Sequence, residues 1–476
     1  MEAVYPGQCA VSVEHDQGVM EAGLFRFLRF SLGLEGEAKG LLDGRKGSFD
    51  WDACYQFAKR QTLVGVLFDG IQRLPKELAP ARPLLLRWLS DSESIRRRNM
   101  RMDRASAYIY NKVCAAGFRC CILKGQGNAL LYPHPSSRIP GDVDVWVMAN
   151  REELRHIALS LTEGDGSSLQ ESLNHIGLTE HGVSVELHST PALLNSPLHN
   201  SRLQRWLKRN ADLQCSNRIA LPDNAGEVAV PTLSFNIIYQ LCHLFHHCFY
   251  EGVGLRQIVD YFFVLMNTDF SGNTDEGAGN TDRDEVFLNT DFTDSTDRFS
   301  GNTDEGCFLL NTDCMDSTDS SSGDFEGDGC FLNTDCADFL DSSSGGLGEV
   351  DSGGALVALQ EELKWLGLWE FAGAVMYVLR EVMGLDEKRM ICAPDERRGR
   401  LLLEEIMAGG NFGHYDERNH FGQGALWHNI QRFRRDWRML RFYPSEALSE
   451  PLFRACHFLW RWKQKHTGKP KERNRN

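Results

Sequence analysis

The chain has 476 residues, 42% of them hydrophobic, and a formal net charge of −15. That length exceeds one ordinary core, so two or three domains are expected, and no apolar run reaches the ~18 residues a membrane-spanning helix needs. The first residues lack the basic and apolar regions of a secretory signal, and fourteen cysteines in such a chain point to reduced thiols in a cytoplasm rather than a disulfide framework. The charge is unevenly held: residues 267–351 carry 22 Asp and Glu against Arg283 and Arg298, a net of −20, so the other 391 residues sum to +5.

Residues 18–116 read as a helical region. Apolar side chains recur at helix spacing through Leu24, Phe27, Leu28 and Leu32, then through Trp51, Cys54, Phe57, Ala58 and Leu63 to Leu67. Arg96, Arg97, Arg98 and Arg101 add a basic helix face, whose plain reading is a solvated surface. At residue 117 the pattern changes. Strands are expected at 119–123, 143–147 and 183–187, with a short helical segment near 128–132. Between the last two strands lies a helix announced by Asn150 as cap and Glu153 three residues later. This is an α/β unit, the core of a region spanning 117–266. Two helices complete that region. The first, near 234–250, sets Asn236, Tyr239, Gln240, His243, His246, His247 and Tyr250 along one stripe. Gly252-Val253-Gly254 breaks it, and the second carries Arg256, Gln257 and Asp260 on one face.

Residues 267–351 are of another kind. Asn-Thr-Asp recurs from position 267 to 333 at irregular spacing in a background of Ser, Gly, Thr and Asp. Such a composition cannot bury enough apolar surface to offset chain entropy, so a disordered acidic low-complexity insertion is expected. The competing reading, a Ca²⁺-binding repeat, lacks the Gly-Gly-x-Gly-x-Asp period. The Cys pairs at 307 and 314 and at 330 and 336 could bind a metal, although they ride on the repeat itself. Helical patterning returns over 352–476, interrupted by the tight loop Gly409-Gly410-Asn411-Phe412-Gly413. From His428 onward there are 13 Lys and Arg against four Asp and Glu, interleaved with aromatic residues. That tail suits either a solvated helical region or a nucleic-acid surface.

The densest chemistry lies in Leu123-Lys124-Gly125 and Gly141-Asp142-Val143-Asp144-Val145-Trp146-Val147. Alternation along a strand puts Asp142 and Asp144 on one face. Two adjacent carboxylates repel unless a cation lies between them, and a hard dication such as Mg²⁺ accompanying a nucleoside triphosphate is the simplest partner. Val183-Ser184-Val185-Glu186-Leu187-His188 supplies a third carboxylate in Glu186, a ligand for a second ion or an acceptor of a proton, with His188 beside it. Gly125 lets the backbone approach a phosphate, and Lys124, Arg138 and Arg256 are cations for phosphate oxygens, Arg256 having Asp260 at i+4 as its alternative partner. Each part alone also has an ordinary structural reading, and the conjunction is what points to a site. The His243, His246 and His247 cluster has three readings: a zinc site, a face of the nucleotide pocket, or ordinary packed histidines.

The order Leu-Lys-Gly, Tyr132, Arg138, Gly-Asp-Val-Asp-Val-Trp-Val and Val-Glu-Leu-His resembles the polymerase-β-like nucleotidyltransferase superfamily, and more closely its bacterial "uncharacterised nucleotidyltransferase" branch. The likeness extends to the His-rich helix, Gly254-Leu255-Arg256-Gln257 with Asp260, the 409–413 loop and Tyr443-Pro444-Ser445-Glu446. It implies an α+β protein: a small nucleotidyltransferase-type α/β core with a mixed sheet, flanked by N- and C-terminal helical regions. It also implies a transferase that moves a nucleoside monophosphate from an NTP to a hydroxyl or phosphate of an unidentified small-molecule, protein or nucleic-acid acceptor. By motif, Asp142, Asp144 and Glu186 would be the catalytic and metal carboxylates, for one or two Mg²⁺ ions. Lys124, Gly125, Arg138, His188 and Arg256 would be the nucleotide contacts. The superfamily's usual Gly-Gly or Gly-Ser turn is Gly125-Gln126 here. Two alternatives stay open: a catalytically silent nucleotide-binding or protein-interaction scaffold of the same fold, and nucleotidyl transfer to a nucleic-acid end.

Overall fold

In the computed structural model, residues 21–36, 49–162, 169–172, 174–268, 352–416 and 425–467 are described. The acidic repeat and its cysteine pairs lie outside them, as do residues 18–20 and the end of the basic tail. The N-terminal part is helical: α1 over residues 21–31, α2 Trp51–Arg60, α3 Val64–Gln72 and the long α4 Arg82–Ala115. An aromatic knot joins them. Phe27 meets Trp51 edge-on at 5.2 Å, Tyr55 meets Trp88 at 5.1 Å, and the fully buried Trp88 donates its indole N–H to the Val64 carbonyl at 2.8 Å.

Five strands form a mixed sheet in the order β1-β2-β5-β4-β3. They are β1 Cys120–Leu123, β2 Val143–Val147, β3 Gln170–Glu171, β4 His175–Glu180 and β5 Val183–His188. β2 runs antiparallel to β1 and parallel to β5, and β5 returns antiparallel along β4. The parallel pairing sets the register on which everything else turns, because it places Asp144 opposite Glu186 and Trp146 opposite His188. The short α5, a five-residue turn of helix over Gly125–Ala129, follows β1 and starts three residues earlier than its sequence suggests. Helix α6, Arg151–Leu161, follows β2 with the full capping box expected of Asn150 and Glu153. Its apolar stripe, Leu154, Ile157, Ala158 and Leu161, is buried.

Helix α7, Pro197–Ser216, leads to a separate hairpin of β6 Arg218–Leu221 and β7 Gly226–Ala229. Helices α8 Leu233–Tyr250 and α9 Leu255–Asn267 then pack against each other. After position 351 come α10 Ser352–Trp365, α11 Trp369–Met383, α12 Glu396–Gly409, α13 Ala425–Leu440 and α14 Pro444–Thr467. These helices share one compact unit with the sheet and the N-terminal helices. The Gln61 amide spans that distance in sequence, donating to the Ile406 carbonyl and accepting from the Leu255 N–H. Glu446, in the Tyr-Pro-Ser-Glu segment, accepts from the N–H groups of Asn195 and Ser196 at the entry to α7.

Helix α4 supports the site from behind. Its buried Asn99 donates to the carbonyls of Ser136 and Arg138, at 2.9 and 2.8 Å, and Arg98 donates to the Gly141 carbonyl at 3.2 Å. Arg96 and Arg97 pair with Glu93 on the solvent side. Helix α3 touches the same loop so closely that a Cβ on Gly65 would stand 2.2 Å from the Ser137 carbonyl oxygen. Gly65→Ala should therefore cost about 1–3 kcal/mol, the usual penalty of overpacking. Gly23→Ala on α1, whose added methyl meets nothing nearer than 4.0 Å, should be neutral or slightly stabilising. Equilibrium denaturation of the two variants checks the contrast.

Candidate functional site

Asp142 stands just ahead of β2 and Asp144 inside it, two residues apart and hence on one face. Glu186 sits across from Asp144 on the neighbouring parallel strand, so the side-chain oxygens of Asp142, Asp144 and Glu186 come within 4.8 Å of one another. The sheet thus brings together the three carboxylates expected from sequence. His188, two residues past Glu186, shares its face and joins the two strands: its Nε2 lies 2.8 Å from Asp144 Oδ1 and 3.3 Å from Glu186 Oε2.

Lys124 closes the other side. Its Nζ lies 3.0 Å from Asp144 Oδ2 and 3.2 Å from His243 Nε2. The residue has φ 50° and ψ −123°, a backbone region that ordinarily favours glycine, so a strained turn delivers its ammonium group to the carboxylates. Gly125, with φ 30°, continues that turn. Gln126 points the other way. Its side chain is buried and donates to Asp103 on α4, which explains a glutamine where a small residue is usual. His243 in turn lies 2.9 Å from His247 Nε2, and His247 Nδ1 lies 3.0 Å from Glu251. A file of polar contacts therefore runs from Asp144 through Lys124, His243 and His247 to Glu251. Among the described residues, two clusters have metal-ligand spacing: Asp142 with Asp144 and Glu186, and His175 with Glu186 and His188. The set His243, His246 and His247 is in neither.

The electrostatics follow from crowding. The charge of Asp144, then burial, pushes Asp142 up to about 6. Burial alone would raise Asp144 too, but Lys124 and His188 outweigh it and hold that carboxyl well below the usual range. Burial would lower His188, yet its bonds to Asp144 and Glu186 carry it up to about 9. Burial, with Lys124 next, keeps His243 neutral, so His243 accepts from the ammonium group. A divalent cation fits this donor set, since three carboxylates supply hard oxygen ligands and the mutual repulsion that lifts Asp142 is what a dication relieves.

A cleft opens beside the carboxylates, lined by Lys124, Gly125, Asp142, Asp144, Arg138 and Arg256 among others. The two arginines are differently held. Arg138 grips Asp260 through two bonds of 2.7 Å, with the Tyr132 hydroxyl donating to the same carboxylate. Asp260 is therefore committed to Arg138, and Arg256 instead donates to the Ile139 carbonyl at 2.9 Å. His188 and Glu186 lie behind Asp144, outside the lining of the cleft.

Sequence reasoning missed several of the cleft's groups. Asn128 accepts from Gln240, and Gln257 accepts from the Gly254 N–H, which fixes both amides with their nitrogens turned away from these partners. Asn128 Nδ2, Gln257 Nε2, Arg138 Nη1 and Arg256 Nε are buried donors with no acceptor in range among the described residues. Phe412 arrives from the 409–413 loop, packs on the His247 ring at 5.2 Å, and adopts φ 53° between two positive-φ glycines. Gln257 and Phe412 stand in segments legible from sequence and Asn128 in none, but tertiary packing alone places all three at the cleft.

A family model described as uncharacterised nucleotidyltransferase matches residues 47–277. That span holds both strands of the carboxylate site, Lys124, Arg138 and Arg256, while the 409–413 loop lies beyond it. No curated protein and no solved structure matches the chain.

The coupling of His188 to two carboxylates fixes the sign of a pH effect. Its pKa lies above the unfolded value of 6.5, so its contribution is full below that value and is lost as pH rises through about 9. For metal-stripped protein, the unfolding free energy should decline between about pH 7 and pH 10, by an amount on the order of 3 kcal/mol from this group. In His188→Gln that part of the decline should be missing, which denaturant titrations of both proteins across the pH range will show.

Proposed function

We propose, from the match of residues 47–277 to the uncharacterised nucleotidyltransferase family model, that the protein transfers a nucleoside monophosphate from an NTP to an acceptor hydroxyl or phosphate, in a Mg²⁺-dependent reaction that releases pyrophosphate. Asp142, Asp144 and Glu186 would hold the metal, in one or two positions. When bound, Mg²⁺ supplies neutralisation of the charge that develops on the transferring phosphoryl group. The five-strand mixed sheet, with its carboxylates on adjacent strands, is compatible with a nucleotidyltransferase-type core.

The chain's own groups do the rest by positioning. Lys124 meets a phosphate oxygen at the mouth of the turn, where His243 keeps its ammonium aimed along the cleft. Arg138 is immobilised by Asp260 and presents its remaining N–H, and Arg256 adds a positive charge that no carboxylate claims in a direct hydrogen bond. The amide nitrogens of Asn128 and Gln257 complete a wall of donors suited to the oxygens of a triphosphate. His188 acts through the carboxylates it bridges, holding Asp144 ionised. Near neutral pH Asp142, at about 6, is the carboxylate closest to protonation, so it is the one whose ionisation a metal would complete.

The observation that carries this reading is the register that sets Asp144 against Glu186, with Asp142 two residues upstream, beside a cleft rich in buried donors. Incubation with α-labelled NTPs and candidate acceptors should give labelled product with the wild type. Asp142→Asn combined with Asp144→Asn should reduce it by at least ~100-fold, the scale on which electrostatic groups act. Equal labelling by both proteins would overturn the proposal. Because Asp144 also pairs with Lys124 and His188, the double variant's thermal unfolding is measured beside it, and Asp142→Asn alone, which removes a repelling charge, is the second variant that should keep its stability and still lose labelling.

A further inference from the structure

On the far side of Glu186 from Asp142 stands a group that the transfer chemistry does not use. His175 opens β4, directly across the hairpin from His188, and the two rings lie 5.2 Å apart. His175 Nδ1 is 3.7 Å from Glu186 Oε2, too far for a hydrogen bond, and this buried nitrogen has no hydrogen-bond partner among the described residues. His188 Nε2 lies 3.3 Å from the same carboxylate oxygen. With metal–ligand bonds of about 2.0–2.1 Å, neighbouring ligand atoms of a tetrahedral ion stand ~3.3–3.5 Å apart. The two measured separations sit at and just above that spacing. Asp144 Oδ1, 2.8 Å from His188 Nε2, is within reach as a further ligand.

We propose that His175, Glu186 and His188 form a second metal position, which takes a first-row transition dication of the Zn²⁺ or Co²⁺ type in preference to Mg²⁺. The preference follows from the donors: two imidazole nitrogens with carboxylate oxygen suit borderline ions, whereas Mg²⁺ is selected by all-oxygen sets. A metal here displaces the proton that His188 Nε2 shares with Asp144 and Glu186, and it satisfies the stranded nitrogen of His175. Glu186 then serves both positions, facing the Asp142 and Asp144 oxygens on one side and the imidazoles on the other. The position stands on geometry and donor chemistry and does not require the transfer reaction.

The test uses the full chain, stripped of metal and held in millimolar Mg²⁺ to fill the all-carboxylate position. Zn²⁺ affinity is read by competition with a chromophoric chelator, and imidazole ligation by the visible absorption of Co²⁺-loaded protein. The wild type should bind a Zn²⁺ that Mg²⁺ does not displace. His175→Ala should weaken this binding by at least ~10-fold and diminish the Co²⁺ bands. His175→Asp, which returns a ligand, should recover much of the affinity. His181→Ala, at the exposed turn of the same hairpin, should bind like the wild type. Thermal unfolding of each metal-stripped variant reports whether the fold is kept, and His175 is only partly buried at the start of its strand. Zn²⁺ affinity unchanged in His175→Ala overturns the proposal, as does complete displacement by Mg²⁺. Either result leaves the transfer reading intact, because that reading fails only if labelling survives loss of Asp142 and Asp144.

Discussion

Three carboxylates within reach of one ion repel one another, and much of the polar architecture around them answers that repulsion. At 4 Å, two unit charges oppose each other by about 4 kcal/mol even at an effective dielectric constant near 20. The protein counters with Lys124 on one side of Asp144 and His188 on the other. Both cations are held in turn, Lys124 by the neutral imidazole of His243 and His188 by Glu186. Asp142 has the least compensation of the pair on β2, and the residual stress appears in its raised pKa. The site is thus tense where a cation would bind and well compensated elsewhere.

That arrangement depends on a scaffold that holds each group from more than one side. The parallel pairing of β2 with β5 fixes the separation of Asp144 and Glu186 through backbone hydrogen bonds. Helix α4 fixes the loop ahead of β2 from the back, through Asn99 and Arg98. Asp260 fixes Arg138 from the front. A buried ion pair such as Arg138 with Asp260 is weak evidence for stability, because desolvation offsets much of its attraction. Its value here is geometric, since a guanidinium clamped on two edges presents its third in one direction only.

The sequence made the parts of this site legible but not their assembly. A continuous apolar run marked β1, alternation marked β2 and β5, and Asn150 with Glu153 marked the start of α6, because those signals are local. Strand β4 was invisible: Gly177 interrupts its alternation and polar residues fill the solvent face, so His175 could not be placed beside His188. Sequence left Arg256 open between a phosphate and Asp260 at i+4, and Asp260 is taken by Arg138, 122 residues away. The choice between those partners is made by the packing of α9 against the turn after β1, which no spacing encodes. The polar stripe of α8 was read correctly as a stripe, but its inner residues Asn236, Tyr239 and Gln240 are buried, and His243 serves as an acceptor for Lys124.

Phe412 gives the cleft a history as well as a shape. Every charged group that lines the cleft is present once residue 260 has been made, but the aromatic wall belongs to a loop near residue 412. At about 5–20 residues per second, that wall emerges from the ribosome roughly 8–30 s after Asp260. The carboxylates, the lysine and both arginines of the cleft are therefore all synthesised before the residue that walls its flank. The lining of the cleft cannot be complete until the 409–413 loop has been made.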